Sequence, residues 1–443
     1  MPELYDLTLT EAADGIRRRA LSPVELVRAL LSRIEALEPT VHAWETLDAE
    51  NALASAERRA AQPAPADQPL WGLPVGVKDI FYTAGLRTAA GFGPWADFVP
   101  EYDAAAVERL RAAGAIVLGK TVTTQFALLD PPKTRNPWNP ERTPGGSSSG
   151  SGAAVGARMV PAALGSQTAG SGLRPAAYCG AVGFKPTLGL VSRFGVVPIS
   201  ASLDHVAIIT RSVADATLLL GTLAGPDPRD PTSIRVALEF DATPASPPRI
   251  GLLRDIVERA ESDVRDRIRA ITAELSSAGA TVCEVGFPAF DRLIAAQQVI
   301  MLSEAAAAHA EIYAAHAPSY APRARAMLES GRLLPGPAYL QAQRLRREIR
   351  SEVDALLRGV DCLLLPTASN VAPAAATTGD PTFQVPASAL GLPAITLPAG
   401  LNGDGMPIGA QLVGRLLDDA ALLRTAVWCE GVLGPGASPP LSR

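Results

Sequence analysis

Between Thr143 and Ala177 the sequence reads TPGGSSSGSGAAVGARMVPAALGSQTAGSGLRPAA, almost all Gly, Ser, Ala and other small residues. Linkers built from Gly and Ser stay free of apolar residues so that they remain solvated. Here Val155, Met159, Val160 and Leu164 interrupt the run with core-type side chains, so a tether is a poor reading. What the stretch concentrates is hydroxyl groups and backbone that a substrate can approach closely. A serine hydroxyl attacks a carbonyl when a neighbouring base takes its proton, and an uncharged lysine is one such base. Successive backbone N–H groups in GSQTAGS suit an oxyanion hole, whose donors are worth roughly 2.7–4 kcal/mol each in the transition state.

Lysine is scarce in this chain. Lys78, Lys120, Lys133 and Lys185 are its four lysines, and every other basic residue apart from histidine is arginine. A general-base lysine must be neutral, which burial favours by disfavouring the charged form. Lys78 sits in WGLPVGVKDIF among Val75, Val77, Ile80 and Phe81, well placed for desolvation. Lys120 and Lys185 also flank apolar segments and are the rival bases. Asp79 would raise the pKa of an adjacent amine, but strand alternation points it to the opposite face.

Other chemistries fit less well. GAIVLGKT, from Gly114 to Thr121, matches a phosphate-binding pattern, yet its Ala-Ile-Val-Leu interior reads as strand where a phosphate cradle needs a loop. The four histidines, His42, His205, His309 and His316, lack paired metal-ligand spacing. His309 and His316 fall in an Ala-rich helical stretch and read as exposed polar positions. His205 follows Asp204, so a Ser–His–Asp arrangement is the rival. GSSSG, centred on Ser148, lacks the flanking strand of a nucleophile elbow. Cys179, Cys283, Cys362 and Cys429 are scattered, which suits reduced thiols rather than a disulfide framework or metal site.

The elements that must hold these groups alternate between helix and strand. SPVELVRALLSRIEALEP has Ser22 as N-cap, Pro23 at the first helical position and Glu25 completing a capping box, with Pro39 expected to stop the helix. DAAAVERLRAAGAIVLGKT reads as helix, Gly cap and strand. LPVGVKDIF, RIGLLRD, TVCEV, DCLLLP, AITLPAGL and IGAQLVG read as strands, ESDVRDRIRAITAELSSAGA as a helix, and about 299–357 as an interrupted helical region. This grammar implies a mixed α/β layer fold in one large domain. A net charge of −5 gives no basic footprint for nucleic acid or anionic membrane. No signal peptide or apolar spanning run is evident, so the chain is expected to be cytoplasmic.

The run PGGSSSGSGAAVGARMVPAALGSQTAGSGLRPAAYCGAVGFKPTLGLVS resembles the signature of the amidase signature family of serine hydrolases. The likeness continues through GLPVGVKDIF, GAIVLGKTVTTQFA, SLD, TRSVADA and GLPAITLPAGLNGDGMPIGAQLVG, covering most of the chain from about residue 70 onward. The resemblance implies an α/β/α fold, with a large mixed sheet covered by helices on both faces. It implies a single domain over 1–443, with a helical N-terminal segment about 1–65, a signature core about 70–215 and a helical pocket region about 290–357. It also implies a Ser–cisSer–Lys triad. Lys78 is then the base, Ser147 the bridging serine after a cis Gly146 peptide, and Ser171 the nucleophile. The backbone of Thr168, Ala169, Gly170 and Ser171 forms the oxyanion hole.

Two departures stand out. The family's G-S-x-T-G-G-S-I-R becomes GSQTAGSGLR, with Gln167 and Ala169, and Arg174 three residues after Ser171. Arg174 is a candidate for binding a substrate carboxylate or, equally, a structural arginine. After SLD, Ala207-Ile208 replaces the usual Gly-Pro. The resemblance implies hydrolysis of a small-molecule, non-peptide amide, with carbamate, aryl-amide or ester bonds as further substrates, without metal or cofactor. A homodimer is the common symmetric arrangement. The alternative is the glutaminase subunit of a tRNA-dependent amidotransferase, acting with a protein partner. Those subunits usually carry D-E-F-A-M-G after the Gly-Lys strand, where this chain has TTQFALLD.

Overall fold

The computed structural model describes residues 3–236 and 239–442. Met1, Pro2, Ala237, Leu238 and Arg443, which the single-domain reading includes, lie outside the described residues. The strands are β1 (Trp44–Leu47), β2 (Pro74–Lys78), β3 (Ile116–Thr121), β4 (Ala162–Gln167), β5 (Val182–Lys185), β6 (His205–Thr210), β7 (Arg249–Leu253), β8 (Thr281–Val285), β9 (Cys362–Pro366), β10 (Ala394–Leu401) and β11 (Pro407–Val413). They form one 11-stranded sheet in the order β1-β3-β2-β4-β6-β5-β10-β11-β9-β7-β8. β2 runs parallel to β3 and β4, whereas β4, β6, β5, β10, β11 and β9 follow one another antiparallel. The sheet is therefore mixed and the architecture α/β, as the sequence predicts.

Every residue of β2, β4, β5, β6, β9 and β11 is buried, which requires helices on both faces of the sheet. That burial also explains the chemistry-bearing segment. The helix Ser149–Gly156 lies so close to its neighbours that a Cβ on Gly150 would sit 2.2 Å from the Ala43 carbonyl oxygen. A Cβ on Gly152 would come 2.8 Å from the carbonyl oxygen of Pro175. Small residues are the condition for that approach. Ser149 and Ser151 are also explained structurally: their hydroxyls donate to the carbonyls of Gly145 and Leu164, each at 2.8 Å.

Several local expectations change. The capping box at Ser22 and Glu25 is present, but the helix Pro23–Val41 passes through Pro39. Pro39 falls in the last turn, where its missing N–H forfeits one bond. His42 then closes the helix in the left-handed region, its N–H reaching Glu38 O. The region expected to start near 299 begins earlier, as Phe290–Ala308, followed by Ala310–His316, Pro322–Arg332 and Gly336–Leu357. His309 is buried rather than exposed, its Nδ1 3.0 Å from the Tyr320 hydroxyl. The matched phosphate-binding pattern is strand β3, as its apolar interior indicates. No helix among the described residues is long and apolar enough to cross a membrane.

Candidate active site

Lys78 ends β2 at the point where β2 lies beside β4, and its side chain is fully buried. The ammonium nitrogen has three neighbours, all hydroxyls: Ser147 Oγ at 2.7 Å, Ser166 Oγ at 2.8 Å and Ser148 Oγ at 3.1 Å. Ser166 comes from the end of β4; Ser147 and Ser148 come from the turn that leads into the helix Ser149–Gly156. The Gly146–Ser147 peptide is cis. Burial pushes the Lys78 pKa well below that of an ordinary lysine, against the attraction of Asp204.

One hydroxyl has a fixed role toward the amine. Ser148 Oγ accepts from the Ser166 N–H at 3.1 Å and donates to the Ser166 carbonyl at 3.2 Å. It can therefore meet Lys78 only as an acceptor. A neutral amine has two N–H bonds and one lone pair, so with one N–H on Ser148 and the other on Ser166 the lone pair faces Ser147.

Ser171 stands at the end of the loop that follows β4 and is half-buried. Its carbonyl accepts from the Ser148 N–H at 3.1 Å, which ties the two serine-bearing turns together. Its own hydroxyl makes no hydrogen bond among the described residues. None of the N–H groups of Thr168, Ala169, Gly170 and Ser171 finds an acceptor there either, leaving a row of free donors next to Ser171. The Thr168 hydroxyl donates to Asp204 at 2.6 Å, and Asp204 also accepts from the N–H groups of Ile199 and Ser200.

Arg174 is buried and donates through Nη2 at 2.7 Å to the Gly146 carbonyl, the oxygen of the cis peptide itself. Its Nε and Nη1 are buried without partners. Ala207 and Ile208, the departures after SLD, lie in β6 opposite Gly165 and Leu164, behind the site. His205 does not meet a serine: its Nδ1 faces the Gln167 carbonyl at 3.2 Å, and burial drives its pKa well down, so it is a neutral core histidine.

The rival lysines have other surroundings. Lys120 donates to the Phe81 carbonyl at 2.7 Å and Thr88 Oγ1 at 2.6 Å, and pairs with Asp79 at 3.4 Å. Asp79 thus points away from Lys78, as alternation requires. Lys185 donates to the carbonyls of Pro186 and Leu392.

A cavity of about 410 Å³ opens beside the site, lined by Ser166, Thr168 and Asp204 together with Glu304, Ala307 and Ala308. Within the helical pocket region about 290–357, Tyr313, Tyr320 and Met327 are packed in the core. Tyr339 acts indirectly, donating to Glu304 at 2.7 Å. Ser148 and Asp204 entered the sequence reading only through the rival Ser–His–Asp arrangement, and Ser166 was not singled out at all. For a role as a Lys78 neighbour, Ser148 was marked only by adjacency to Ser147, while Ser166 was visible within GSQTAGS as one more hydroxyl.

A mixed α/β sheet carrying a buried lysine among serine hydroxyls defines an amidase-signature fold. The Amidase family profile matches residues 25–423, and the chain belongs to that family. The chain is 38% identical to the A subunit of glutamyl-tRNA(Gln) amidotransferase from Anaeromyxobacter sp. (strain K), covering 99% of this chain and 98% of that protein. Among solved structures, the native peptide amidase of Stenotrophomonas maltophilia superposes with a TM-score of 0.89 at 29% identity, over 100% of both chains. The A subunit of glutamyl-tRNA(Gln) amidotransferase from Thermotoga maritima gives a TM-score of 0.81 at 31% identity, over 97% of this chain and 95% of that one.

Proposed function

We propose that this protein cleaves carboxylic amide C–N bonds through an acyl-enzyme on Ser171. The observation that carries the reading is the 2.7 Å contact between Lys78 Nζ and Ser147 Oγ in a pocket of hydroxyls. The Lys78 lone pair takes the Ser147 proton as Ser147 takes that of Ser171, and Ser171 Oγ forms a bond to the substrate carbonyl carbon. Negative charge collects on the carbonyl oxygen, which the free N–H groups from Thr168 to Ser171 are placed to receive. Lys78 returns its proton through Ser147 to the leaving nitrogen as the C–N bond breaks. Water then attacks the ester by the same relay and frees Ser171. Arg174 holds the Gly146 carbonyl, and its two buried, unpartnered N–H directions suit a substrate carboxylate.

Two settings for this chemistry remain, and different observations favour them. A stand-alone amidase is supported by TTQFALLD after the Gly-Lys strand and by the likeness to a peptide amidase. An ammonia-releasing glutaminase subunit is supported by curated relatives that are amidotransferase subunits over nearly their whole length. The relatives weigh more heavily than the motif.

The chemistry is tested by treating the purified protein with a fluorophosphonate and mapping the adduct by peptide mass spectrometry. Modification is expected at Ser171 and lost in Lys78→Ala; an adduct on another serine overturns the assignment. Ammonia release from glutamine, measured alone and with candidate partner proteins, separates the settings. Release that occurs only with a partner selects the amidotransferase setting.

A further inference from the structure

The loop from Thr168 to Ser171 is held from behind by a closed chain of hydrogen bonds. Gln167, the last residue of β4, turns its side chain under the loop. Its Oε1 accepts from the N–H groups of Gly172 at 2.9 Å and Leu173 at 2.8 Å. Both partners are donors, so the amide orientation is fixed: oxygen toward the loop, nitrogen away from it. Nε2 then donates to Ser388 Oγ at 2.9 Å. Ser388 lies on the helix Val385–Leu390, far along the chain, and both residues are fully buried. Having accepted from Gln167, Ser388 has its own hydrogen free, and it donates to the Ala169 carbonyl at 2.6 Å.

That last bond sets a direction. In a trans peptide the C=O of one residue and the N–H of the next point opposite ways. Anchoring the Ala169 carbonyl on Ser388 therefore turns the Gly170 N–H toward the opposite side of the loop. We infer that Gln167 and Ser388 are positioning residues that aim the Gly170 N–H at the developing oxyanion. The inference rests on the proposed acyl-enzyme chemistry. The amide of Gln167 is needed because it accepts at one end and donates at the other. A carboxylate at this position would hold the two loop N–H groups but would draw the Ser388 hydrogen to itself, releasing the Ala169 carbonyl.

The test measures Ser171 phosphonylation by a fluorophosphonate, separating the saturating rate constant from the half-saturating concentration. Misaiming one donor, rather than deleting it, is expected to cost about tenfold in the saturating rate. Ser388→Ala should show that loss with half-saturation within about twofold of the wild type, and Ser388→Thr should restore most of the rate. Gln167→Glu should lose a similar factor although every heavy-atom position is kept. Wild-type saturating rates in both Ser388→Ala and Gln167→Glu, or a loss confined to half-saturation, overturn the inference while leaving the Ser171 reading intact. Should Ser388→Ala not fold, Gln167→Glu decides on the same two quantities. Absence of labelling at Ser171 in the wild type removes the nucleophile and this inference with it.

Discussion

Lys78 and Lys120 sit on neighbouring strands in almost the same register, Lys120 facing Val77 and Lys78 facing Thr121 across the β2–β3 pair. Both are fully buried, yet they are surrounded differently. Lys120 is met by a carbonyl, a threonine hydroxyl and the Asp79 carboxylate. A carbonyl and a carboxylate only accept, so they suit an ammonium, and burial lowers the Lys120 pKa only to about 8. Asp79 is pushed up to about 6, chiefly by its own burial, so both partners are charged near neutral pH. Lys78 is met by hydroxyls alone: Ser148 is held as an acceptor, while Ser147 and Ser166 can each accept or donate. Such a pocket satisfies a neutral amine as well as a charged one. Burial makes both lysines unusual; the hydrogen-bonding type of the neighbours decides which can act as a base and which is half of a structural ion pair.

The sharpest way to break this contrast is to replace each lysine with methionine. Lys78→Met is expected to lower the Ser171 labelling rate by about 10⁴-fold, the scale on which triad members act, while denaturant unfolding shows little loss of stability. Lys120→Met should do the reverse, costing roughly 3–5 kcal/mol in urea unfolding because Asp79 is left buried and unpaired, with labelling of the folded protein near wild type. Equal effects of the two on rate would end the comparison.

The pH dependence comes next in size. In the proposed relay Lys78 acts as a base only when unprotonated, and its pKa lies well below the ordinary value. The labelling rate should therefore rise with pH through that lowered pKa and level off far below the ordinary lysine value of 10.5. A limb still climbing near that value would show a charged Lys78 at neutral pH. Smaller still is the effect of one neighbour. Ser166→Ala should slow labelling about tenfold by freeing the amine to rotate its lone pair away from Ser147, less than the roughly 10²–10⁴-fold contributed by a positioned proton-transfer group itself. Ser148→Ala should add a stability cost of about 1–3 kcal/mol, because the Ser166 N–H loses its acceptor. The exposed pair Arg254–Glu284 sets the floor: Arg254→Ala should change unfolding free energy by under about 1 kcal/mol and leave labelling unchanged.

Much of the frame was legible before the fold was known. Strands β2, β3, β7, β8, β9, β10 and β11 announced themselves as short apolar runs, and the helix after Ser22 announced itself by its cap. β4 did not, because AALGSQ carries neither alternation nor β-branched residues. Buried on both faces, it is specified by the size its neighbours permit rather than by pattern. The family motif pointed to Lys78, Ser147 and Ser171, but not to what surrounds them. That Lys78 touches three hydroxyls, or that Gln167 meets a serine 221 residues away, depends on which strands become neighbours. Helix length past Pro39 and the burial of His309 failed for a related reason, since tertiary packing outvoted local propensity.

The strand order has a consequence for the order in which the molecule can be made. The wing β1-β3-β2-β4-β6-β5 and the wing β9-β7-β8 meet in the sheet only through β10 and β11, the last two strands in chain order. A ribosome releases both wings before it releases the pair that joins them. Until then β5 and β9 each present an open strand edge, the kind of surface that recruits foreign chains. The nascent protein is thus most exposed to misassembly between the synthesis of β9, which ends at Pro366, and that of β11, which ends at Val413, when Lys78, Ser147 and Ser171 have already been synthesised.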